Sequence, residues 1–475
     1  MDVKTLEPQA FFHWFYEISR IPRKSFKEEK ITAFLENFFS ERGIAFDTDK
    51  LGNVFARLPA SSGYEDQPGI LFQAHTDMVC RKDEGISFDF DTDPIELIID
   101  GDKLRANGTT LGADNAVGVA TMLAIADDPT LPHPALELLF TVCEEQGMVG
   151  IKNFDFSKIE SRRMVNMDCG DSHVIAVCST GKIFSSAQKT YTLQPVSCEE
   201  EVLTIQLHGG LSGHSSICAN KGRSCGANTM GYLLLGASDL RLCELYGSGP
   251  IIKDFTATVA VPRSRVRQVR QRLQERFAAY KAIYADTDPG IMMTLEPGSA
   301  DFAIESAHTE NLALLLSLLR TGQVTAEGND PASIRSLSTV CKAVLRDGSF
   351  GLDYLVRSTC QEEQDRLGEY YQHMASALGF TIVEKDRQPV WPENPQSTFC
   401  AKFQRVHTAL FEKEMELERV AGGIEVIHIV KNIPDMDPIG VAPTARGAHT
   451  TGEYMYISQV APYWELIKAV LADKE

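Results

Sequence analysis

Four stretches of the 475-residue chain set histidine or carboxylate groups directly behind an apolar run or at the mouth of a helix. His75 and Asp77 follow Ile70–Ala74, Glu144 and Glu145 follow Leu136–Cys143, and Asp168 follows Met164–Met167. Asp114 comes after a Gly108–Gly112 turn, where a helix starting near Asn115 opens. In an open α/β sheet, ligands bind beyond the carboxyl ends of the strands, so these groups can converge on one crevice. Singly, each has a plain structural reading as a helix cap, a hydrogen-bonded histidine or a solvated acid. Together they crowd carboxylates that need a cation to offset their repulsion. His75 and Asp77, two apart on extended chain, project to one face, so Asp77 can fix the tautomer of a metal-bound imidazole. The side chains of Glu144 and Glu145 diverge, leaving one to bind a metal and the other to face substrate as a base. Mixed imidazole and carboxylate ligation suits zinc, with cobalt or manganese as substitutes.

The elements that must position these groups alternate in type. Glu7–Arg20 reads as a helix with Phe11, Phe12, Trp14, Phe15 and Ile18 on one stripe. Ser25 and Glu28 have the spacing of a capping box opening a second helix, and Gly43 closes it. Buried strands at 69–74, 136–143 and 164–167 around a helix at 115–126 predict an α/β fold with a sheet covered by helices on both faces. After about Ser185 the pattern changes to amphipathic strands (202–208, 256–261) and helices (266–280, 311–319), a separate α+β domain. The stretch Pro389–Pro395 cannot continue a helix or a central strand and reads as a linker, and the chain ends on a helix at 460–472. The expected organisation is a catalytic domain formed by residues 1–185 and 393–475, with residues 186–392 inserted as a second domain of one or two lobes.

Composition bounds the partners. Hydrophobic residues make up 43% and charged residues 23%, values of an ordinary globular chain with room for two to four domains. The formal charge of −19 argues against a nucleic-acid or anionic-membrane surface, so neither is an expected partner. Apolar runs such as 312–319 fall far short of the ~20 residues that cross a bilayer. Asp2, Glu7 and Glu17 interrupt any signal-peptide layout, and eleven scattered cysteines without a Cys-x-x-Cys pair read as reduced thiols, so a cytoplasmic location is expected.

The runs ILFQAHTDMV, GTTLGADNAVG, CEEQGMVG, VNMD and PTARGAHTTGE, in that order, resemble the zinc exopeptidase family that contains aminoacyl-histidine (Xaa-His) dipeptidases and related carboxypeptidases and aminoacylases. The resemblance implies a zinc-exopeptidase catalytic domain with a central mixed sheet, plus an inserted α+β lid. It implies two zinc ions per chain, one held by His75, Asp114 and Asp168 and the other by Asp114, Glu145 and His449, with Asp114 bridging and a cis peptide after it. Asp77 would orient His75. Glu144 would act as general base toward a metal-activated water, delivering the proton to the leaving amine. His214, in GGLSGHSS, would help stabilise the oxyanion, and Arg357, in LVRSTC, would receive the substrate's C-terminal carboxylate. The implied activity is hydrolysis of dipeptides, of Xaa-His type or broader, by a monomer or homodimer.

Alternatives are an amidohydrolase or carboxypeptidase acting on N-acylated amino acids, and a non-catalytic binding protein that keeps the fold. The chain departs from the dipeptidase pattern outside the metal motifs. GSGPIIKD (247–254) stands where relatives have Asn-Ala-Ile-Pro-Arg-Glu, and Ser215, Ser216, Ile217 and Cys218 follow His214. The run AGGIEVI (421–427) keeps only Gly423 and Glu425 of a His-Ala-Gly-Leu-Glu-Cys-Gly pattern.

Overall fold

The structure, a computed structural model, describes residues 3–474 except 217 and 329, so Asp2 and Ile217 lie outside the described residues. Two compact units emerge. The first comprises residues up to 179, 391–420 and those from 424 onward; the second comprises 180–390 with 421–423.

The first unit is an α/β layer structure. Its sheet runs, edge to edge, Ala45–Thr48, Val54–Leu58, Leu136–Thr141, Ile70–His75, Arg163–Asn166, Asp437–Gly440, Val174–Ser179 and Glu416–Val420. The sheet is mixed: Ile70–His75 pairs in parallel with both Leu136–Thr141 and Arg163–Asn166, and Val54–Leu58 joins antiparallel. Every residue of Ile70–His75 and Leu136–Thr141 is buried, as expected for central strands covered on both faces. One face, with Phe72, Ala74, Leu138 and Phe140, packs against helices Gln9–Ser19, Glu29–Arg42, Ala113–Asp127, Thr398–Phe411 and Ile457–Ala472. The other face, with Leu71, Leu139 and Met164, packs against Val426–Asn432 and Trp391.

A Cβ on Gly118 would lie 2.7 Å from Ala74 Cβ and 2.8 Å from Met167 Cβ. Only glycine lets the helix approach the sheet this closely, next to the strand ends that carry His75 and Asp168.

The second unit holds two copies of one topology. Glu200–His208, Gly226–Leu234, Arg241–Ser248, Phe255–Pro262, Val266–Ile283 and Met292–Pro297 run strand, helix, strand, strand, helix, strand. Gly181–Thr190, Ser306–Leu318, Asp330–Arg346, Ser349–Ser358, Gln361–Ala377 and Thr381–Gln388 repeat that order, with the first copy inserted after their opening strand. In both, the strands lie in the order fourth, first, third, second, the ferredoxin-like arrangement. The two second strands pair antiparallel, Leu245 with Leu345 and Ser248 with Lys342, fusing the halves into one antiparallel sheet.

Three sequence expectations need correction. The first unit ends at Ser179, not 185, because Gly181–Thr190 pairs along its length with Ser349–Ser358 and Thr381–Gln388 of the second unit. The return to the first unit falls between Val390 and Trp391, inside the proline-rich stretch and not after 392; Trp391 is 2% exposed and exchanges main-chain hydrogen bonds with Ser179. Ser25 and Glu28 form no capping box, since the second helix lacks a side-chain cap and both residues point elsewhere. Gly43 does close that helix, in the left-handed conformation at φ +65°.

Trp391 fills the smaller core beside Ile424 and Met436. Trp391→Ala is expected to destabilise by about 3–5 kcal/mol, read from denaturant unfolding of the whole chain; a change below about 1 kcal/mol would show that the stretch is a free linker.

Candidate active site

Three adjacent parallel strands deliver the groups singled out in the sequence. Ile70–His75 ends on His75, Leu136–Thr141 leads into Glu144 and Glu145, and Arg163–Asn166 leads into Asp168, so all lie at the carboxyl ends. Asp114 and Asn115 sit at the start of Ala113–Asp127 with non-helical dihedrals and a cis peptide between them. Regular helix begins afterwards, where Asn115 Oδ1 accepts from the Gly118 amide at 3.2 Å. Cys143 (φ +51°) and His449 (φ +66°) are non-glycine residues held in the left-handed region, and each lies in a segment that brings side chains to the cluster.

His75 Nε2 lies 2.9 Å from Asp114 Oδ1 and 3.5 Å from Asp168 Oδ1. His449 Nε2 lies 2.8 Å from Glu145 Oε1 and 3.3 Å from Asp114 Oδ2. Ligand atoms of His75, Asp114 and Asp168 all fall within 4.8 Å of one another, as do those of Asp114, Glu145 and His449, and of His75, Glu144 and Glu145. Asp114 belongs to the first two of these groups. The donor set fits two divalent cations: each of those two groups offers one imidazole nitrogen and two carboxylates, and Asp114 presents a different oxygen to each histidine.

The electrostatics point the same way. Burial and the Asp114 charge push Asp168 up to about 7. Burial pushes Glu144 well above the carboxylate range, with His75 opposing and Asp168 adding to it. Burial also works against protonation of His75, yet Asp168, Asp114 and Asp77 overcome it and raise the imidazole. Hydrogen bonds to Asp114 and Glu145 raise His449 to about 10. Two imidazoles do not neutralise this many carboxylates, and a pair of divalent cations would.

Asp77 does more than face the imidazole. Its Oδ1 lies 3.4 Å from His75 Nδ1 and accepts from the Glu144 amide at 3.0 Å, while Oδ2 accepts from the Glu145 amide at 3.2 Å and Ser25 Oγ at 2.7 Å. Sequence reasoning missed the residues around it. Glu28 Oε1 accepts from the Cys143 amide at 2.9 Å. Arg23, fully enclosed, donates to the Thr76 and Asp77 carbonyls, both at 3.1 Å, and to the Gly112 carbonyl at 2.5 Å. Glu453 accepts from the Leu111, Gly112 and Asp114 amides at 2.8, 2.9 and 3.2 Å. Only Glu453 had a local signal, four residues beyond His449; the partners of Arg23 and Ser25 lie more than fifty residues away.

His214 and Arg357 belong to the second unit. The Ser216 amide donates to His214 Nδ1 at 3.3 Å, and burial together with the Arg357 charge lowers the imidazole. Arg357 lies on Ser349–Ser358; Nη1 is 3.4 Å from Thr180 Oγ1, and its buried Nε has no hydrogen-bond partner.

The family model for peptidase family M20/M25/M40 matches residues 71–473. The chain belongs to that family. It is 26% identical to the cytosol non-specific dipeptidase of Escherichia coli (strain K12) over 479 residues, covering 99% of each chain. It superposes on an aminoacylhistidine dipeptidase from Vibrio alginolyticus with a TM-score of 0.91 at 25% identity, over 99% of this chain and 98% of that one. A tripeptidase from Staphylococcus aureus shares the fold at TM-score 0.62 and 14% identity, over 98% of both chains.

Asp114→Ala removes the residue common to the His75/Asp114/Asp168 and Asp114/Glu145/His449 groups. Metal analysis of the purified variant is expected to find at least one equivalent fewer than in the parent protein, and full retention would exclude Asp114 as a bridge.

Proposed function

We propose that the chain is a dinuclear metallodipeptidase. The observation that carries this reading is the pair of three-residue groups sharing Asp114 at the strand ends. Membership of a peptidase family and full-length similarity to two dipeptidases support it. His75, Asp114 and Asp168 would hold one zinc and Asp114, Glu145 and His449 the other, with cobalt or manganese as substitutes. When bound, such a pair lowers the pKa of a water and polarises the scissile carbonyl.

The chain's own groups do the rest. Glu144 takes the proton of the attacking water on its carboxylate and returns it to the leaving amine, so the peptide bond is exchanged for a carboxylate and an amine. Asp77 fixes the amides of both glutamates and the His75 ring, so base and ligands keep one geometry. His214 supplies a hydrogen bond to the oxyanion, and Arg357 takes the substrate's C-terminal carboxylate; burial of the Arg357 guanidinium favours such an anionic partner. The substrate is a small peptide with free ends, Xaa-His or broader. The protein would act on cytoplasmic peptides as a monomer or homodimer. None of the helices among the described residues is long and apolar enough to cross a membrane.

Glu144→Gln is expected to lower kcat by about 10²–10⁴-fold while metal content stays at two; undiminished turnover would remove it as the base. Arg357→Ala is expected to raise KM for dipeptides and to leave their C-amidated analogues unaffected, with equal loss for both counting against its role. A screen of dipeptides against N-acetylated amino acids tests the class: faster hydrolysis of the N-acyl compounds would make the protein an amidohydrolase, and no hydrolysis of either a binding protein.

A further inference from the structure

The proposed chemistry leaves several enclosed carboxyls unused, Glu425 among them. Glu425 is 1% exposed and opens the short helix Val426–Asn432, one residue after the chain re-enters the first unit. Its Oε2 accepts from Thr141 Oγ1 and from Gln73 Nε2, both at 2.5 Å, and its Oε1 is buried without a hydrogen-bond partner. Gln73 Nε2 also reaches Thr141 Oγ1 at 3.2 Å, and Gln73 Oε1 accepts from Asn166 Nδ2 at 2.6 Å. Asn166 Oδ1 in turn accepts from the Asp168 amide at 3.2 Å. Thr141, Gln73 and Asn166 have no exposed surface.

These contacts form a layer. Leu71, Leu139 and Met164 occupy the same face of the three strands in the core below. Gln73, Thr141 and Asn166 come next, with Gln73 in register with Asn166 and His75 with Thr141. The cluster lies above, two residues beyond Gln73 and two beyond Asn166. A buried polar row holds a unique geometry only when its members are satisfied, and without the Glu425 carboxyl the Thr141 hydroxyl keeps only the Ala74 carbonyl at 3.4 Å and the Gln73 amide only the Thr141 hydroxyl at 3.2 Å.

We infer that Glu425 is a positioning residue: by closing the Thr141–Gln73–Asn166 row it sets the separation of His75 and Asp168, and so the affinity of one cation of the proposed pair. This rests on reading the cluster as a metal site. The row spans all three strands, but Gln73 and Asn166 each stand two residues before a ligand, His75 and Asp168, and Asn166 also bonds the Asp168 amide, whereas Thr141 stands four residues before Glu145. The Glu145 amide is held by Asp77, and His449 by Glu145, so the second cation should feel the change less. Burial pushes the Glu425 carboxyl up to about 8. Glutamine, which keeps a carbonyl for both donors, should therefore serve in its place.

The test compares chelator competition for the bound zinc, kcat and KM in the parent protein and in Glu425→Gln, Glu425→Leu and Thr141→Val. Glu425→Leu is expected to give up one of two metals at chelator concentrations about 10–100-fold lower than the parent, with kcat reduced and KM within about threefold. Glu425→Gln should stay within about threefold of the parent in every measure. Thr141→Val, nearly isosteric, should weaken the same single metal by a smaller factor. Equal weakening of both metals, unchanged affinity in Glu425→Leu, or a glutamine variant as impaired as the leucine one would each overturn the inference. Should Glu425→Leu fail to fold, Thr141→Val decides, and parental affinity for both metals in that variant would overturn it. A parent protein that holds no pair of metals would instead sink the metal reading itself, and this inference with it.

Discussion

Repulsion among buried carboxylates is the constraint around which the first unit is organised. Asp77, Asp114, Asp168, Glu144 and Glu145 converge on two imidazoles at the end of one sheet. In a low-dielectric interior such a group holds together only if counter-charge is supplied and the backbone cannot relax away. Burial, with neighbouring carboxylates adding to it, displaces Asp168 and Glu144 upward, while Asp77 and Asp114, bonded to the imidazoles, are lowered and the imidazoles raised. Two shared cations would answer that repulsion, and the same charges that make the cluster unfavourable alone would make it a strong ligand set.

The backbone is kept from relaxing by buried polar groups, of which Arg23 lies outside every run that carries the family likeness. Arg23 ties the end of the strand carrying His75 to the Gly112 turn before Asp114. Glu453 ties that turn to the segment carrying His449. Asp77 ties both glutamates to Ser25. Five separate stretches of chain are thus joined by charge-assisted hydrogen bonds, most of them shielded from water, where such bonds are strongest. Cys143, in the left-handed region, donates its amide to Glu28 within these surroundings.

The second unit solves a different problem. Each ferredoxin-like half would leave its second strand as a bare edge; pairing Arg241–Ser248 with Asp330–Arg346 covers both edges within one chain. The change of composition near Ser185 marks a new domain, and nothing in the local pattern reveals that one half is inserted inside the other. That nesting is a matter of strand order, which the sequence encodes only through long-range contacts.

What the sequence determined by itself was local: buried strands from continuous apolar runs, the helix closed at Gly43, and the presence of His75, Asp77, Asp114, Glu144, Glu145 and Asp168 directly beyond them. Periodicity and turn chemistry act over a few residues, so they can be read without knowing the fold. The ordering of the five runs placed His449 with the others only by likeness to a family. The supporting layer was decided by tertiary structure alone. Ser25 and Glu28 have the spacing of a helix cap, yet in the folded chain their side chains serve Asp77 and Cys143. Trp391 stands among prolines, yet it is core. Such choices turn on which buried donors would otherwise go unpaired, and that is settled only when segments hundreds of residues apart meet.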